Sequence, residues 1–282
     1  MATLAKLFAK FKFEVEMIDV QNQVDTRGIK IQRTGVSKVH LPLLISDGGK
    51  VQQVAAQIRF TVSLSEKIRG THMSRLMEIL TDWTSTPIKI LDVEKILVEA
   101  QEKLDADFST LQIDFKYFVE QSAPISEKKS FIDVDCKFTG ELVKNSRMKF
   151  NLGLTVPFTS LCPCSREISD FGAHNQRSVC RVNLEIADVD KAEDFGIEKF
   201  FNLIEKQGSS KIFPILKRED EKFVTESAYQ NAKFVEDILR DVVGVLRGVE
   251  NISAFEVECE NFESIHNHNA YAYFNEELRM KN

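Results

Sequence analysis

The sequence lacks the features that assign a function most quickly. It contains no apolar run approaching the ~18 residues that would suggest a membrane-spanning helix. It has no Gly-rich phosphate loop of the Rossmann or Walker type, so a dinucleotide or P-loop mechanism has no support. One Cys-x-Cys pair occurs, at Cys162 and Cys164, and the absence of a second pair argues against a closed four-sulfur metal site.

Charge and cysteine content narrow the class of protein further. The 37 basic and 43 acidic residues leave a net charge of −6, whereas a general nucleic-acid binder would show a basic surface. The five cysteines are an odd number and no secretory apolar segment precedes them, so a disulfide framework does not suit this chain. We therefore expect a cytoplasmic protein that binds neither nucleic acid nor a membrane.

Apolar periodicity predicts an α+β protein. Alternation of apolar and polar residues predicts strands at 51–65, 110–119, 130–140, 147–156, 178–186, 252–260 and 270–278. Spacing of three and four predicts helices at 73–81, 93–104, 197–206 and 232–246, with Asp92 capping the second helix. No linker divides the chain, so we expect one domain at 19–282 behind an N-terminal arm at 1–18, with a polar leader at 19–34.

The order of elements recurs in the two halves of the chain, at roughly 35–156 and 157–282. This repeat predicts two tandem modules, each with an antiparallel sheet on one side and two helices on the other. Such sheets have exposed edges that must be paired or covered. Closure of the sheets into a barrel across several subunits is one way to cover them.

The segment that contains Cys162, Cys164 and His174 is the strongest candidate for chemistry. Thiolate and neutral imidazole are the side chains that hold zinc and similar metals, and Pro163 restricts the loop between the two sulfurs. An open catalytic site would use Cys162 and His174, take a carboxylate or a second His from elsewhere, and keep one position for water. The alternative is a buried structural cysteine beside a histidine that is merely hydrogen-bonded.

Three other places carry candidate residues. His266 and His268 lie two residues apart in a polar segment and would point the same way as proton-transfer groups, or else belong to a solvated turn. Lys217 and Arg218 precede three acids, a cluster that is either a solvated loop or a source of phosphate contacts and of a metal carboxylate. Glu236 stands at a helix start, where an acid also complements the helix dipole.

Taken together, the motifs resemble a known family. They are Asp25-Thr26-Arg27, Gly35-Val36, Gly70-Thr71-His72-Met73-Ser74-Arg75, Leu161-Cys162-Pro163-Cys164-Ser165, Gly172-Ala173-His174-Asn175-Gln176-Arg177-Ser178, Leu216-Lys217-Arg218, Asp220-Glu221-Lys222, Val224-Thr225-Glu226, Phe234-Val235-Glu236-Asp237 and Glu263-Ser264-Ile265-His266-Asn267-His268. In this order, and over nearly the whole chain after residue 19, they closely resemble the type IB GTP cyclohydrolase I family.

The resemblance implies a fold, an assembly and a reaction. The fold is the tunnelling fold, in which subunits close their sheets into barrels as a homotetramer with active sites at subunit interfaces. The reaction converts GTP and water to formate and 7,8-dihydroneopterin triphosphate, which opens folate or related pterin pathways. The family uses a divalent metal, which in this chain would be zinc, manganese or iron.

The resemblance also implies roles for individual residues. The metal ligands would be Cys162, His174 and Glu221. Glu263 would accept hydrogen bonds from the guanine edge, and Lys217 and Arg218 would contact the substrate. Catalytic roles fall to the residues Cys164, Glu236, His266 and His268.

Two alternatives belong to other classes of protein. A thiol-nucleophile nitrile reductase of deazaguanine metabolism, built on the same fold, would use Cys162 or Cys164 to attack a nitrile. Its activity would survive a chelator, whereas that of a metal-dependent cyclohydrolase would not. A non-catalytic pterin-binding or purine-binding oligomer would retain ligand binding through Glu263 without turnover.

Overall fold

The computed structural model of the protein describes residues 19–192 and 195–278, so the expected arm at 1–18 lies outside the described residues. The strands are β1 (Ile31–Asp47), β2 (Lys50–Leu64), β3 (Phe108–Ser122), β4 (Lys129–Val143), β5 (Lys149–Leu161), β6 (Asn175–Ile186), β7 (Ile252–Asn261) and β8 (Ala270–Glu277). The helices are α1 (Met73–Asp82), α2 (Ile90–Leu104), α3 (Pro163–Ile168), α4 (Ile197–Glu205), α5 (Arg218–Gln230) and α6 (Val235–Arg247). Short 3-10 turns occupy Trp83–Ser85 and Val189–Lys191.

The eight strands form one antiparallel sheet in which each strand pairs with its neighbour along the chain, from β1 to β8. Two strands, a set of helices and two strands occur twice in succession, which confirms the α+β class. The repeat divides between β4 and β5, so the expected boundary at 156/157 falls within β5. Within the described residues the sheet does not close on itself, and β1 and β8 are its two edges.

The two faces of the sheet differ in polarity because strand residues alternate in direction. One face packs against the helices and contains the largest buried side chains, which include Phe60, Tyr117 and Phe150 from strands together with Phe200 from α4. These aromatic side chains supply much of the apolar area that the core removes from water.

The opposite face of the sheet is charged. Lys116 Nζ lies 2.7 Å from Asp133 and 2.8 Å from Asp135 across the β3–β4 pair. Arg181 Nη1 lies 3.0 Å from Glu260 across β6–β7. This face is therefore charged and accessible to solvent, unlike an apolar packing surface. In the part of the chain that the structure covers, no helix is both long and apolar enough to cross a bilayer.

The structure contains the seven strands and four helices expected from periodicity, and it adds three elements. The first is β1, whose first residues lie in the segment expected to be a polar leader. The second is α3, a six-residue helix within the segment expected to be a loop. The third is α5, which begins inside the charge cluster, so most of that cluster is helix and not loop, although its charged side chains other than Asp220 are exposed. Periodicity does not show β1 and α5 because many of their residues are polar and exposed, and it does not show α3 because the helix has only six residues.

One buried carboxylate joins α5 to the first half of the chain. Asp220 is fully buried, and its Oδ1 accepts hydrogen bonds from the backbone N–H groups of Ile125 and Ser126, each at 2.8 Å. Its Oδ2 accepts from the Ser126 hydroxyl at 2.6 Å and from the Lys217 N–H at 2.8 Å. Asp220 thus caps its own helix and fastens it to the β3–β4 turn.

We predict that Asp220→Ala lowers the melting temperature by about 5 °C or more, because it leaves several buried donors without an acceptor. Asp92→Ala is the matched control, since Asp92 also accepts from the N-terminal backbone N–H of its helix, at 3.0 Å from Lys89, but lies at the surface. Differential scanning calorimetry of both variants decides the matter. An equal shift in the two variants would contradict the link between α5 and the β3–β4 turn.

Candidate active site

The antiparallel pairing of β5 with β6 brings Cys162 and His174 together. Leu161 at the end of β5 pairs with Asn175 at the start of β6, and the Cys162 N–H donates to the His174 carbonyl at 3.2 Å. The thirteen-residue connection is compact, because Ser165 both donates its N–H to the Cys162 sulfur at 3.4 Å and accepts from the His174 N–H at 3.0 Å through its hydroxyl. Two candidate metal ligands are therefore adjacent where β5 ends and β6 begins.

Glu263 reaches the same place from β7, the next strand. Its Oε2 lies 3.8 Å from His174 Nδ1, and both side chains are 13% exposed. The Phe262 N–H donates to the Arg177 carbonyl at 2.9 Å, which extends the β6–β7 pairing up to Glu263. The carboxylate thus faces the imidazole in a half-enclosed position, so it can accept hydrogen bonds from a ligand that enters there.

The segment between β7 and β8 presents the other two histidines. The rings of His266 and His268 stack with centroids 5.1 Å apart, as expected of residues two positions apart, and both are exposed. Asn269 closes this segment by donating to Glu260 at 2.7 Å, and Arg181 donates to the same carboxylate at 3.0 Å. Hydrogen bonds from Asn269 and Arg181 hold the pKa of Glu260 below its ordinary value, so Glu260 stays an acceptor.

The N-terminus of α5 carries the basic candidates and three consecutive acids. Lys217 and Arg218 are exposed, as are Glu219 and Glu221. Asp220 between them is committed to the β3–β4 turn and has no oxygen free of a hydrogen bond. Burial alone would raise the pKa of Asp220, but the hydrogen bonds to its carboxylate outweigh burial and hold the pKa well below the ordinary value. Of the three acids, only the two glutamates are free to meet a metal or substrate.

Cys164 and Glu236 lie near the end of β5. Cys164 is exposed on α3, two residues beyond Cys162. The Lys233 N–H donates to the Leu161 carbonyl at 3.1 Å, which places the start of α6, and with it Glu236, near Cys162. The Glu236 side chain is exposed in the first turn of α6, where its negative charge also complements the helix dipole.

The structure brings some of the expected site residues together and leaves others apart. Cys162, His174 and Glu263 are neighbours, whereas the described part of the chain shows no hydrogen bond or ion pair between Glu221 and any of them. Among residues 19–192 and 195–278, no three or more His, Cys, Asp or Glu side chains are arranged to hold a metal ion. A complete coordination sphere therefore requires a further donor to approach the pair Cys162 and His174.

Sequence reasoning missed a set of polar residues buried behind His174. The Gln176 side-chain oxygen lies 2.8 Å from His174 Nδ1. Ser160, Ser178 and Asn261 are buried nearby on β5, β6 and β7. A signal was available, since these four residues occupy inward-facing positions of strands whose other inward positions are apolar. Polar side chains at such positions are expected to be hydrogen-bonded for a structural or functional reason.

Solved structures share the fold at very low sequence identity. A crystal structure of uricase from Arthrobacter globiformis superposes with a TM-score of 0.52 at 9% identity, covering 89% of this chain and 95% of that one. A highly active mutant of urate oxidase from Bacillus sp. TB-90 gives 0.51 at 8% identity, covering 88% and 100%. These similarities support the tunnelling fold and carry no argument about chemistry.

Relatives at much higher identity are GTP cyclohydrolases by name. The GTP cyclohydrolase FolE2 of Geotalea uraniireducens (strain Rf4) is 45% identical over 266 residues, 94% of this chain and 95% of the relative. That of Geobacter sp. (strain M21) is 46% identical over 255 residues, 90% and 92% of the two chains. A family model described as type I GTP cyclohydrolase folE2 matches residues 17–272. With its motifs, its fold and these relatives in agreement, the chain belongs to the type I GTP cyclohydrolase folE2 family.

Proposed function

We propose that the protein is a metal-dependent GTP cyclohydrolase that converts GTP and water to formate and 7,8-dihydroneopterin triphosphate in folate biosynthesis. The observation that carries the proposal is the meeting of Cys162, His174 and Glu263 at the ends of β5, β6 and β7 in a chain of this family. A thiolate, an imidazole and a carboxylate at the ends of three neighbouring strands suit hydrolysis of a purine ring.

The donor set fits a divalent transition metal. The Cys162 sulfur and the His174 imidazole combine a soft and a borderline ligand, a pair that suits zinc and is compatible with iron or manganese. Glu221, the third ligand that we propose, is exposed on the first turn of α5, and its hydrogen bonds to Lys217 and Thr225 use backbone groups and leave the carboxylate available. When bound, the metal supplies Lewis acidity and an activated water for the hydrolytic steps.

We assign charged side chains to the two ends of GTP. A glutamate carboxylate can accept two hydrogen bonds from the N–H edge of guanine, and we assign this role to Glu263. Lys217 and Arg218 are exposed at the N-terminus of α5, where the helix dipole also favours an anion, and we assign them to the triphosphate.

The reaction needs several proton transfers, because the imidazole ring of guanine opens, formate leaves and the ribose rearranges before ring closure. We assign these transfers to His266 and His268, whose stacked rings lie on one side of an exposed segment. Cys164 and Glu236, both exposed beside the end of β5, are further proton donors or positioning groups. The cytoplasm is the compartment that we propose, and all five cysteines are free thiols in the structure.

The assembly that we propose is a homotetramer. The open edges β1 and β8 carry unpaired backbone groups that a neighbouring subunit would cover, since symmetric closure removes exposed edges. Subunit contact would also bring side chains toward Cys162 and His174, which lack a complete set of metal donors within the described part of one chain.

We predict that Cys162→Ala and His174→Ala each abolish formation of formate and pterin from GTP and lower bound metal, because too few donors remain. The measurement is product identification by chromatography together with elemental analysis. Glu102→Ala is the control, since Glu102 is an exposed carboxylate on α2, in the first repeat. Full activity in either ligand variant would contradict the metal site, and activity that survives a chelator would favour a thiol-based reductase.

We predict that Glu263→Gln weakens GTP binding by about tenfold or more, because an amide replaces one acceptor oxygen with a donor and leaves ligand N–H groups unpaired. Metal content should stay normal. Isothermal titration of GTP into the metal-loaded protein measures the effect, with the exposed Glu250→Gln as control. Equal affinities would show that Glu263 is not the purine anchor, and loss of metal would assign Glu263 to the coordination sphere instead.

We predict a mass about four times the 32.2 kDa of one chain in size-exclusion chromatography with light scattering. The physical reason is that unpaired strand edges favour closure between subunits. A stable monomer with full activity would contradict an active site completed at a subunit interface.

A further inference from the structure

A line of buried polar side chains runs from the backbone to His174. Ser160 on β5 pairs directly with Gln176 on β6, and Asn261 on β7 reaches the same hydroxyl. Ser160 is fully buried, Asn261 is 3% exposed and Gln176 is 7% exposed. These residues lie beneath the imidazole and are shielded from solvent, so the hydrogen bonds that they make are to other groups of the protein. The side-chain oxygen of Asn261 has no partner among the described residues.

The Lys233 carbonyl can only accept a hydrogen bond, and this fixes the direction of the other hydrogen bonds in the line. The Ser160 hydroxyl lies 3.2 Å from the Lys233 carbonyl and must donate its single proton there. It must then accept from its other neighbours, the Asn261 amide nitrogen at 3.0 Å and the Gln176 amide nitrogen at 3.5 Å. With its nitrogen facing Ser160, Gln176 turns its oxygen to His174 Nδ1 at 2.8 Å.

An amide oxygen has no proton to give, so His174 Nδ1 must carry one. In the neutral imidazole Nε2 is then left with the lone pair, which is the form a metal ligand requires. Glu263 acts in the same sense, because its Oε2 at 3.8 Å from Nδ1 places negative charge on the side that bears the proton.

We propose that Gln176 is a positioning residue that, through Ser160 and the Lys233 carbonyl, fixes His174 as the Nδ1–H tautomer and presents Nε2 to the metal. The role in metal binding rests on the proposed function, whereas the tautomer is a property of the folded chain by itself. A glutamine suits this position better than a glutamate, because only the amide can both accept from His174 and donate to Ser160.

The first test reads the tautomer in the metal-free protein. Long-range proton–nitrogen correlation spectra of protein labelled at histidine distinguish Nδ1–H from Nε2–H rings, and they are recorded at about pH 8, above the ordinary pKa of a histidine side chain. Loss of one signal set in His174→Ala assigns the residue. The Nδ1–H form is expected in the wild type, and an Nε2–H ring or an even mixture of the two would overturn the proposal.

The second test measures zinc affinity by competition with a chromophoric chelator. Gln176→Leu should weaken zinc binding by about 10- to 100-fold, the usual effect of removing the partner of a ligating histidine. Gln57→Leu is the matched control, because the Gln57 amide lies 3.4 Å from the ring of His40 on β1, away from the site. Equal affinity in Gln176→Leu and Gln57→Leu would overturn the proposal.

Ser160→Ala provides an independent variant if Gln176→Leu does not fold. It leaves Gln176 in place but removes the hydroxyl that orients the amide, so His174 should show a mixture of tautomers. A pure Nδ1–H signal in Ser160→Ala would overturn the relay. Because these spectra need neither metal nor GTP, a wild-type protein that shows the expected tautomer yet fails to turn over GTP would refute the proposed function and leave the relay standing.

Discussion

The register between β5 and β6 is the constraint on which the candidate site depends. Twelve successive residue pairs, from Phe150 with Ile186 to Leu161 with Asn175, fix where the two strands end. A shift by one residue would turn every side chain to the opposite face, so the buried apolar set holds the register strongly. The bond between the Cys162 N–H and the His174 carbonyl is the continuation of this ladder.

The order of strands in the sheet then brings residues that are distant in sequence to the candidate site. β7 is the other neighbour of β6, and its end delivers Glu263 to His174. Helices contribute through their N-termini, where α5 presents Lys217 and Arg218. Asp220 holds that end of α5 against the β3–β4 turn, ~95 residues away along the chain. The residues of the site therefore all belong to the second repeat, and the buried carboxylate of Asp220 ties their helix α5 to a turn of the first repeat.

Polar residues beneath the site interrupt an otherwise apolar sheet face. Burying an amide or hydroxyl is costly unless its hydrogen bonds are made, and an apolar residue would fill the space of Gln176 or Ser160 with less risk. Their presence at the point where β6 meets His174 is best explained by the proton that they hold on Nδ1. Elsewhere on the same strand, Cys180, Val182 and Leu184 are buried in the ordinary apolar way.

The sequence predicted much of the fold because most strands alternate cleanly, as at 110–119 and 130–140. It did not predict β1, whose first residues are polar and largely exposed as an edge strand. Nor did it predict α5, since a helix with four charged residues in its first turn has a weak apolar pattern and is stabilised by Asp220 instead of by burial.

For the candidate site, the sequence predicted that Cys162 and His174 act together, because thiolate and imidazole are both ligands of transition metals. The nearness of Glu263 to His174 depends on the pairing of β6 with β7, which no local pattern shows. Gln176 escaped notice because it lies in a polar run ahead of the strand expected at 178–186, and its inward direction follows only once β6 is known to begin at Asn175.

The central claim is that Cys162 and His174 bind one metal ion. X-ray absorption spectroscopy at the zinc edge of the zinc-loaded protein tests it most directly. We expect one sulfur at about 2.3 Å together with nitrogen and oxygen donors at about 2.0–2.2 Å, and we expect the sulfur shell to vanish in Cys162→Ala. A wild-type spectrum fitted by nitrogen and oxygen alone would contradict the account.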